Sequence, residues 1–261
     1  MLWIYDIPIP LFGLLCVVTF AILGIVGYYV TKPIVCKLMG PPPGHNEGVD
    51  VIIGAVTLFY GLVLALIAVA VWTKFSAADD TVSQEASALR SLYRDVETYP
   101  EPDRSTLTNQ LRDYTKSVID DEWPAQQRGI VPSSVNEQVT AFETTLFAFN
   151  PKTEGEKLIH ESAIGEYNKF IELRTLRLDS IRQGIQGSLW AILLIGAVLT
   201  IVSTYFLQLK RVLAQLTMTS FVSVMIAIII VITAVMDHPY RGEFSVGPDA
   251  FQEAYSRMAV H

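Results

Sequence analysis

Four blocks of this sequence are long, apolar and free of charge: roughly residues 11–30, 51–72, 188–207 and 215–235. Each reaches the length of about 20 residues that a helix needs to cross a bilayer. None contains Asp, Glu, Lys or Arg. Trp3, Tyr5, Tyr28, Tyr29, Trp72, Trp190, Tyr205 and Tyr240 lie at or near the block ends, where amphipathic rings favour the headgroup zone. The chain is 51% hydrophobic, and these blocks hold the excess, so the composition points to a lipid bilayer as the chain's environment. The N-terminal "MLWIYDIPIP" has no Lys or Arg ahead of the first block, so that block reads as retained rather than as a cleaved signal.

The blocks pair as 2 + 2. The second pair is joined by the very short "QLKRVLAQ", which fits only a transmembrane hairpin. The first pair is joined by "TKPIVCKLMGPPPGHNEGVD", whose three consecutive prolines predict a stiff surface loop, since proline lacks an amide donor and restricts its predecessor. The expected organisation is a first membrane pair in 1–75, a helical layer in 76–187, a second membrane hairpin in 188–236 and a juxtamembrane tail in 237–261.

The polar middle is helical by its periodicity. Val82, Ala86, Leu89, Tyr93 and Val96 recur at alternating four- and three-residue spacing, one stripe of a helix that Pro100 and Pro102 end. Leu107, Leu111, Tyr114 and Val118 continue the pattern to Trp123, where Pro124 predicts a stop. Val135, Val139, Phe142, Leu146 and Phe149 give a third helix, opened by a capping box of Ser134 and Glu137. Thr153 and Glu156 form a second box, opening a helix that runs through Leu158, Tyr167, Ile171, Leu178 and Ile185 into the third span, with a bend at Gly184 and Gly187. No strand pattern, internal repeat or low-complexity tract is present. The expected fold is therefore all-α: four transmembrane helices with an inserted four-helix layer continuous with spans two and three, so that layer and membrane helices move as one body.

Charge excludes some functions. The net charge of −7 is wrong for nucleic acid, which needs a basic face. Cys16 and Cys36 are too few for a disulfide framework or a zinc site. His45, His160, His238 and His261 form no ligand spacing, and no phosphate-binding or nucleophile motif occurs, so neither an enzyme, a metal nor a cofactor is expected. No span carries an ionisable group, which disfavours a proton-coupled transporter. The short loops hold Lys32, Lys37, Lys210 and Arg211, but Lys74, Arg174, Arg177, Arg182 and Arg241 flank the other side, so charge asymmetry does not set the orientation.

Span two is the most informative. Gly54, Gly61, Ala65 and Ala68 share a small-residue face suited to close helix approach. Val56, Phe59, Val63, Ile67 and Ala70 form another face, ending at Lys74. In an axial assembly that apolar face would make a constriction that gates by dewetting; in a monomer it would face lipid. Beyond the membrane, Glu85 is expected to pair with Arg94, Arg174 or Arg177. "IDDEWP" reads as a solvated helix end anchored by Trp123, with Glu122 beside it. The exit from span four, "AVMDHPYRGEFSVGPDAFQ", places Asp237, His238, Pro239 and Arg241 within five positions. It reads as a helix stop whose polar groups couple span four to the helical layer.

Three stretches now combine: "KFSAADDTVSQEASALRSLYRDV" after span two, with "QEASAL" at 84–89; "LRDYTKSVIDDEWP" at 111–124; and "MDHPYRGEFSV" at 236–246. In that order, and with the 2 + 2 layout, the chain resembles the bestrophin-like membrane proteins of bacteria over nearly its whole length. The resemblance implies a pentameric, self-associated ion channel with a neck lined by the second helix, anions as the favoured small inorganic ions, and a cytosolic helical layer and termini. By position the neck would be Phe59, Val63 and Ile67, with Tyr60 nearby and Lys74 at its end. The chain departs from animal bestrophins in lacking a dense acidic run after span four, where only Asp237 and Glu243 lie, so calcium activation is not implied. Its acidic helical layer also does not concentrate anions. The rival class is a non-conducting scaffold or sensor whose helical layer binds a partner.

Overall fold

The computed structural model describes residues 5, 7–39, 47–130, 134–181, 184–207, 209 and 211–259. The described residues form helices and no strand: α1 (Ile9–Met39), α2 (Glu47–Val96), α3 (Asp103–Ser117), α4 (Trp123–Gln127), α5 (Ser134–Ala148), α6 (Glu154–Ser180), α7 (Gly187–Thr204), α8 (Val212–Met236) and α9 (Asp249–Met258). A π-helical turn, Val118–Glu122, links α3 to α4. Four helices, α1, α2, α7 and α8, are long and apolar enough to cross a membrane. A helix suits that medium because it satisfies its backbone hydrogen bonds internally. At 50 residues α2 is about 75 Å long, more than twice the roughly 30 Å of a hydrocarbon core.

The chain divides into two compact units: Met1–Thr73 with Gly184–Asp237, and Lys74–Gln183 with His238–His261. The first contains α1, the leading part of α2, α7 and α8. Its core gathers Tyr28, Tyr60, Leu64, Leu193, Ile201 and Ile226. Small residues set the closest approaches. A Cβ at Gly24 would collide with Ser223, one at Gly27 with Tyr205, and one at Gly196 with the Tyr60 ring. Tyr60 donates to the Leu193 carbonyl at 2.8 Å, and Tyr205 to Leu23 at 3.3 Å. A polar seam also joins α7 and α8, where Thr204 meets Thr219 at 3.1 Å and the Gln215 amide donates to the Thr204 carbonyl at 2.6 Å.

The second unit contains the rest of α2 with α3, α4, α5, α6 and α9. The stripes read from the sequence form its core: Val82, Ala86, Leu89, Tyr93, Val96, Leu107, Leu111, Tyr114, Val118, Phe142, Leu146 and Tyr167 are all buried. Thr153 caps α6 with the full reciprocal box to Glu156. The Ser134 side chain lies outside the described residues.

Five expectations need correction. The α1 helix continues through Pro33 to Met39 instead of ending before the loop. One internal proline removes one ladder bond, and the apolar run on both sides carries the helix past it. The triple proline at 41–43 lies outside the described residues. Pro124 does not stop the chain's helical course: the π turn closes with the Trp123 amide on the Val118 carbonyl and places Pro124 in the first turn of α4, where a missing amide costs nothing. Leu158 is 68% exposed rather than on the buried stripe. The α6 helix ends at Ser180, short of Ile185, and α7 begins at Gly187; Gly184 and Gly187, where a bend is expected, fall between the two helices and at the start of α7, in keeping with the poor helix propensity of glycine. Finally, the tail forms α9, whose Phe251, Ala254 and Met258 are buried at helical spacing.

The Gly196 contact gives a test. Gly196→Ala should destabilise the protein by about 1–3 kcal/mol through overpacking, read as a lowered unfolding midpoint in detergent. Adding Tyr60→Ala should relieve the clash without restoring full stability.

Candidate functional site

On α2 the residues singled out in the sequence separate. Phe59 is 70% exposed, Val63 is half-buried, and Tyr60 and Ile67 are each 8% exposed, packed into the first unit's core. The structure therefore does not present Phe59, Tyr60, Val63 and Ile67 as one open face of the protomer. Phe59 and Val63 instead border a groove with Val51, Ile52 and Val56 of α2 and Ile192, Gly196 and Leu199 of α7, a volume of about 470 Å³. Gly54, Gly61 and Ala65 are exposed and Ala68 is half-buried; nothing lies within 4 Å of a Cβ built on Gly54 or Gly61. Lys74, half-buried, opens the second unit.

The second unit holds a buried ionic cluster. Arg177, with no exposed side-chain area, grips Glu85 in a two-pronged contact: Nε to Oε2 at 2.6 Å and Nη2 to Oε1 at 3.1 Å. Its Nη2 also lies 3.5 Å from Glu122, and Arg174 lies 3.7 Å from the same carboxylate. Arg174 donates to the Tyr114 hydroxyl at 3.2 Å. The guanidinium carbon lies 5.5 Å from the ring centres of both Trp123 and Phe251, which sit next to each other 5.8 Å apart. Burial alone would lower the Arg177 pKa, but the carboxylates of Glu85 and Glu122 override it and hold arginine's proton more firmly than usual. Of the three candidate partners of Glu85, Arg177 makes the contact.

Glu122 corrects the reading of "IDDEWP". Asp120 and Asp121 are exposed, but Glu122 and Trp123 are buried, because the extra residue of the π turn swings them inward. Neither Glu122 oxygen has a hydrogen bond of good geometry, and Arg177 Nη1 and both polar atoms of Gln126 are likewise buried without one. Sequence periodicity cannot see a π turn, so "IDDEWP" points to Glu122 beside Trp123 but not to its burial next to Arg177.

The exit segment is held by a set of hydrogen bonds. Asp237, in the first unit, accepts from the Ile185 amide and from Trp190 Nε1, the latter at 3.1 Å. In the second unit, the Arg241 amide donates to the His238 carbonyl at 3.0 Å, the Val246 amide to the Pro239 carbonyl at 2.8 Å, and Gly242 takes φ of 83° as the turn requires. The Arg241 guanidinium donates to the Arg128 carbonyl at 2.6 Å. Tyr240 is buried, edge-on to Trp123, with its hydroxyl taking a bond from Ser180 at 3.2 Å. No cluster of three or more His, Cys, Asp or Glu suited to a metal occurs among the described residues.

A model of the bestrophin-like domain matches residues 18–251. The chain belongs to the bestrophin-like family. No curated protein matches it in sequence. Among solved structures, one variant of a bacterial bestrophin homologue from Klebsiella pneumoniae superposes with a TM-score of 0.68 at 12% identity, covering 96% of this chain and 97% of that one. A second variant of that homologue gives 0.69 at 12% identity over 95% and 97%. A crystal structure of a membrane protein gives 0.70 at 9% identity, again over 95% and 97%. At such identities the likeness speaks to the fold, and it runs the length of both chains.

The ionic cluster makes a firm prediction for this bestrophin-like protein. Arg177→Met should cost about 3–5 kcal/mol, because it leaves buried carboxylates without a counter-charge. Adding Glu85→Gln and Glu122→Gln should recover part of that loss. Denaturant unfolding of the purified protein in detergent measures both.

Proposed function

We propose that this protein is a homo-oligomeric ion channel of a bacterial plasma membrane, with α2 contributing its apolar neck. The observation that carries the reading is the state of α2 within a bestrophin-like chain. Its membrane part buries Tyr60, Leu64, Ile67 and Val71 in its own protomer and leaves Phe59 and the small-residue face of Gly54, Gly61 and Ala65 uncovered. An oligomer uses both uncovered features, the small face for a neighbouring helix and the apolar one at a constriction. Phe59, with Val63 at its edge, is then the neck candidate, and Tyr60 and Ile67 support it from behind. A charge-free membrane interior suits passive flow of small inorganic ions rather than a transport cycle.

Within this reading the family precedent makes the assembly a pentamer, with residues 76–187 and both termini in the cytoplasm, and makes anions such as chloride the favoured ions. Local electrostatics oppose that preference. In the first unit Lys32, Lys37, Lys210 and Arg211 balance Asp6, Glu47, Asp50 and Asp237, so the acidic excess behind the net charge of −7 lies wholly in the second. The reversal potential across a salt gradient decides between anions and cations.

Purified protein in liposomes should pass ions, and Phe59→Ala should raise the flux by easing wetting of the neck. Well-folded oligomers that pass no ion would overturn the channel and favour a membrane scaffold. Gly61→Phe should lower the oligomer's mass in detergent while leaving protomer unfolding unchanged, since nothing within the protomer touches that position.

A further inference from the structure

The second unit has a basic cavity that the channel reading does not use. Ser87, Arg90, Ser91 and Arg94 recur at helical spacing on α2, and with Arg257 and Met258 of α9 they line a hollow of about 400 Å³. That volume falls in the range of small-ligand sites. The guanidinium groups of Arg90, Arg94 and Arg257 gather here in a unit whose net charge is acidic. Glu253 fixes two of them, lying 2.6 Å from Arg257 and 3.5 Å from Arg90. It neutralises one charge and holds two planar forks side by side. Arg94 is left over: its nearest carboxylate, that of the adjacent Asp95, is 3.9 Å away, and Asp95 already takes a 2.7 Å bond from Ser162. The Arg94 side chain is 76% exposed.

We propose that this cavity binds a small soluble anion bearing more than one phosphoryl group. Guanidinium forks match phosphoryl oxygens in pairs, and three forks with two serine hydroxyls offer more donors than a halide or a single carboxylate can engage. Tyr93, Ala254 and Met258 supply an apolar wall for an organic portion. Glu97, the one carboxylate on the lining, also borders the neighbouring depression with Arg104 and Arg112. The site stands whether or not the protein conducts.

The test is calorimetric titration of the full-length protein in neutral-lipid nanodiscs with inorganic pyrophosphate at fixed ionic strength. Saturable binding is expected, weakened about tenfold or more in Arg94→Gln, the loss of one charge-assisted contact. Because Arg94 is so exposed, the variant should unfold at the wild-type temperature, which the same samples report. Lys116→Gln, outside the cavity, should bind as wild type. The proposal fails if pyrophosphate does not saturate, if Arg94→Gln binds equally well, or if Lys116→Gln loses as much, which would mark general charge attraction. Suppression of binding by anionic-lipid nanodiscs would assign the cavity to headgroups and overturn the soluble ligand.

Discussion

A buried guanidinium governs the second unit. Arg177 has no exposed side-chain area, and an unpaired charge in that position would cost several kcal/mol. The unit answers with carboxylates from two elements, Glu85 on α2 and Glu122 at the π turn, and with aromatic faces from α4 and α9. Each of those elements is thereby tied to α6. The pairing geometry explains why local departures from helical regularity persist. Without the π turn, Glu122 and Trp123 would follow Asp120 and Asp121 toward solvent, and the cluster would lose one carboxylate and one ring.

Much of this unit was legible in the sequence because a buried helical face leaves a period. Val82 to Val96 and Leu107 to Val118 were readable as stripes, and Glu85 beside such a stripe already asked for an arginine. What periodicity could not supply was any event that breaks it. The π turn adds a residue, so an acidic run that looks uniformly solvated in the sequence has one member pointing inward. Leu158 stands nine residues before Tyr167, half a turn away from the α6 face that buries Ala163, Tyr167 and Phe170, so it points outward while Ile159 packs on the core. The α9 helix leaves a faint period because ten residues make barely three turns, although Phe251, Ala254 and Met258 carry the same spacing.

The membrane-type unit was legible to a different depth. Length and lack of charge gave four helices, since hydrocarbon leaves the backbone few alternatives. They did not say which helix covers which face. In a uniformly apolar helix every side looks burial-competent, so Tyr60 and Ile67 could not be told from Phe59 in kind. The distinction comes from partners: Gly196 admits the Tyr60 ring, and Leu193 takes its hydroxyl. Within the described part of this unit, the glycines at which a Cβ would collide are Gly24, Gly27 and Gly196, none of which lies on the small-residue face of α2.

That leaves Gly54 and Gly61 to be accounted for. A glycine inside a helix costs roughly 0.5–1 kcal/mol against alanine, and neither position has an atom within 4 Å of a built Cβ. Lipid chains gain little from the missing methyls, because a bilayer conforms to either residue. The protomer alone is therefore the poorer for both glycines. A second helix drawn close against α2 reverses the balance, since small residues let backbones approach and gain packing that lipid does not offer. The cost is local to each protomer, and the return exists only in an assembly. This is the physical ground on which the proposed assembly places α2, rather than α1 or α8, between copies of the chain.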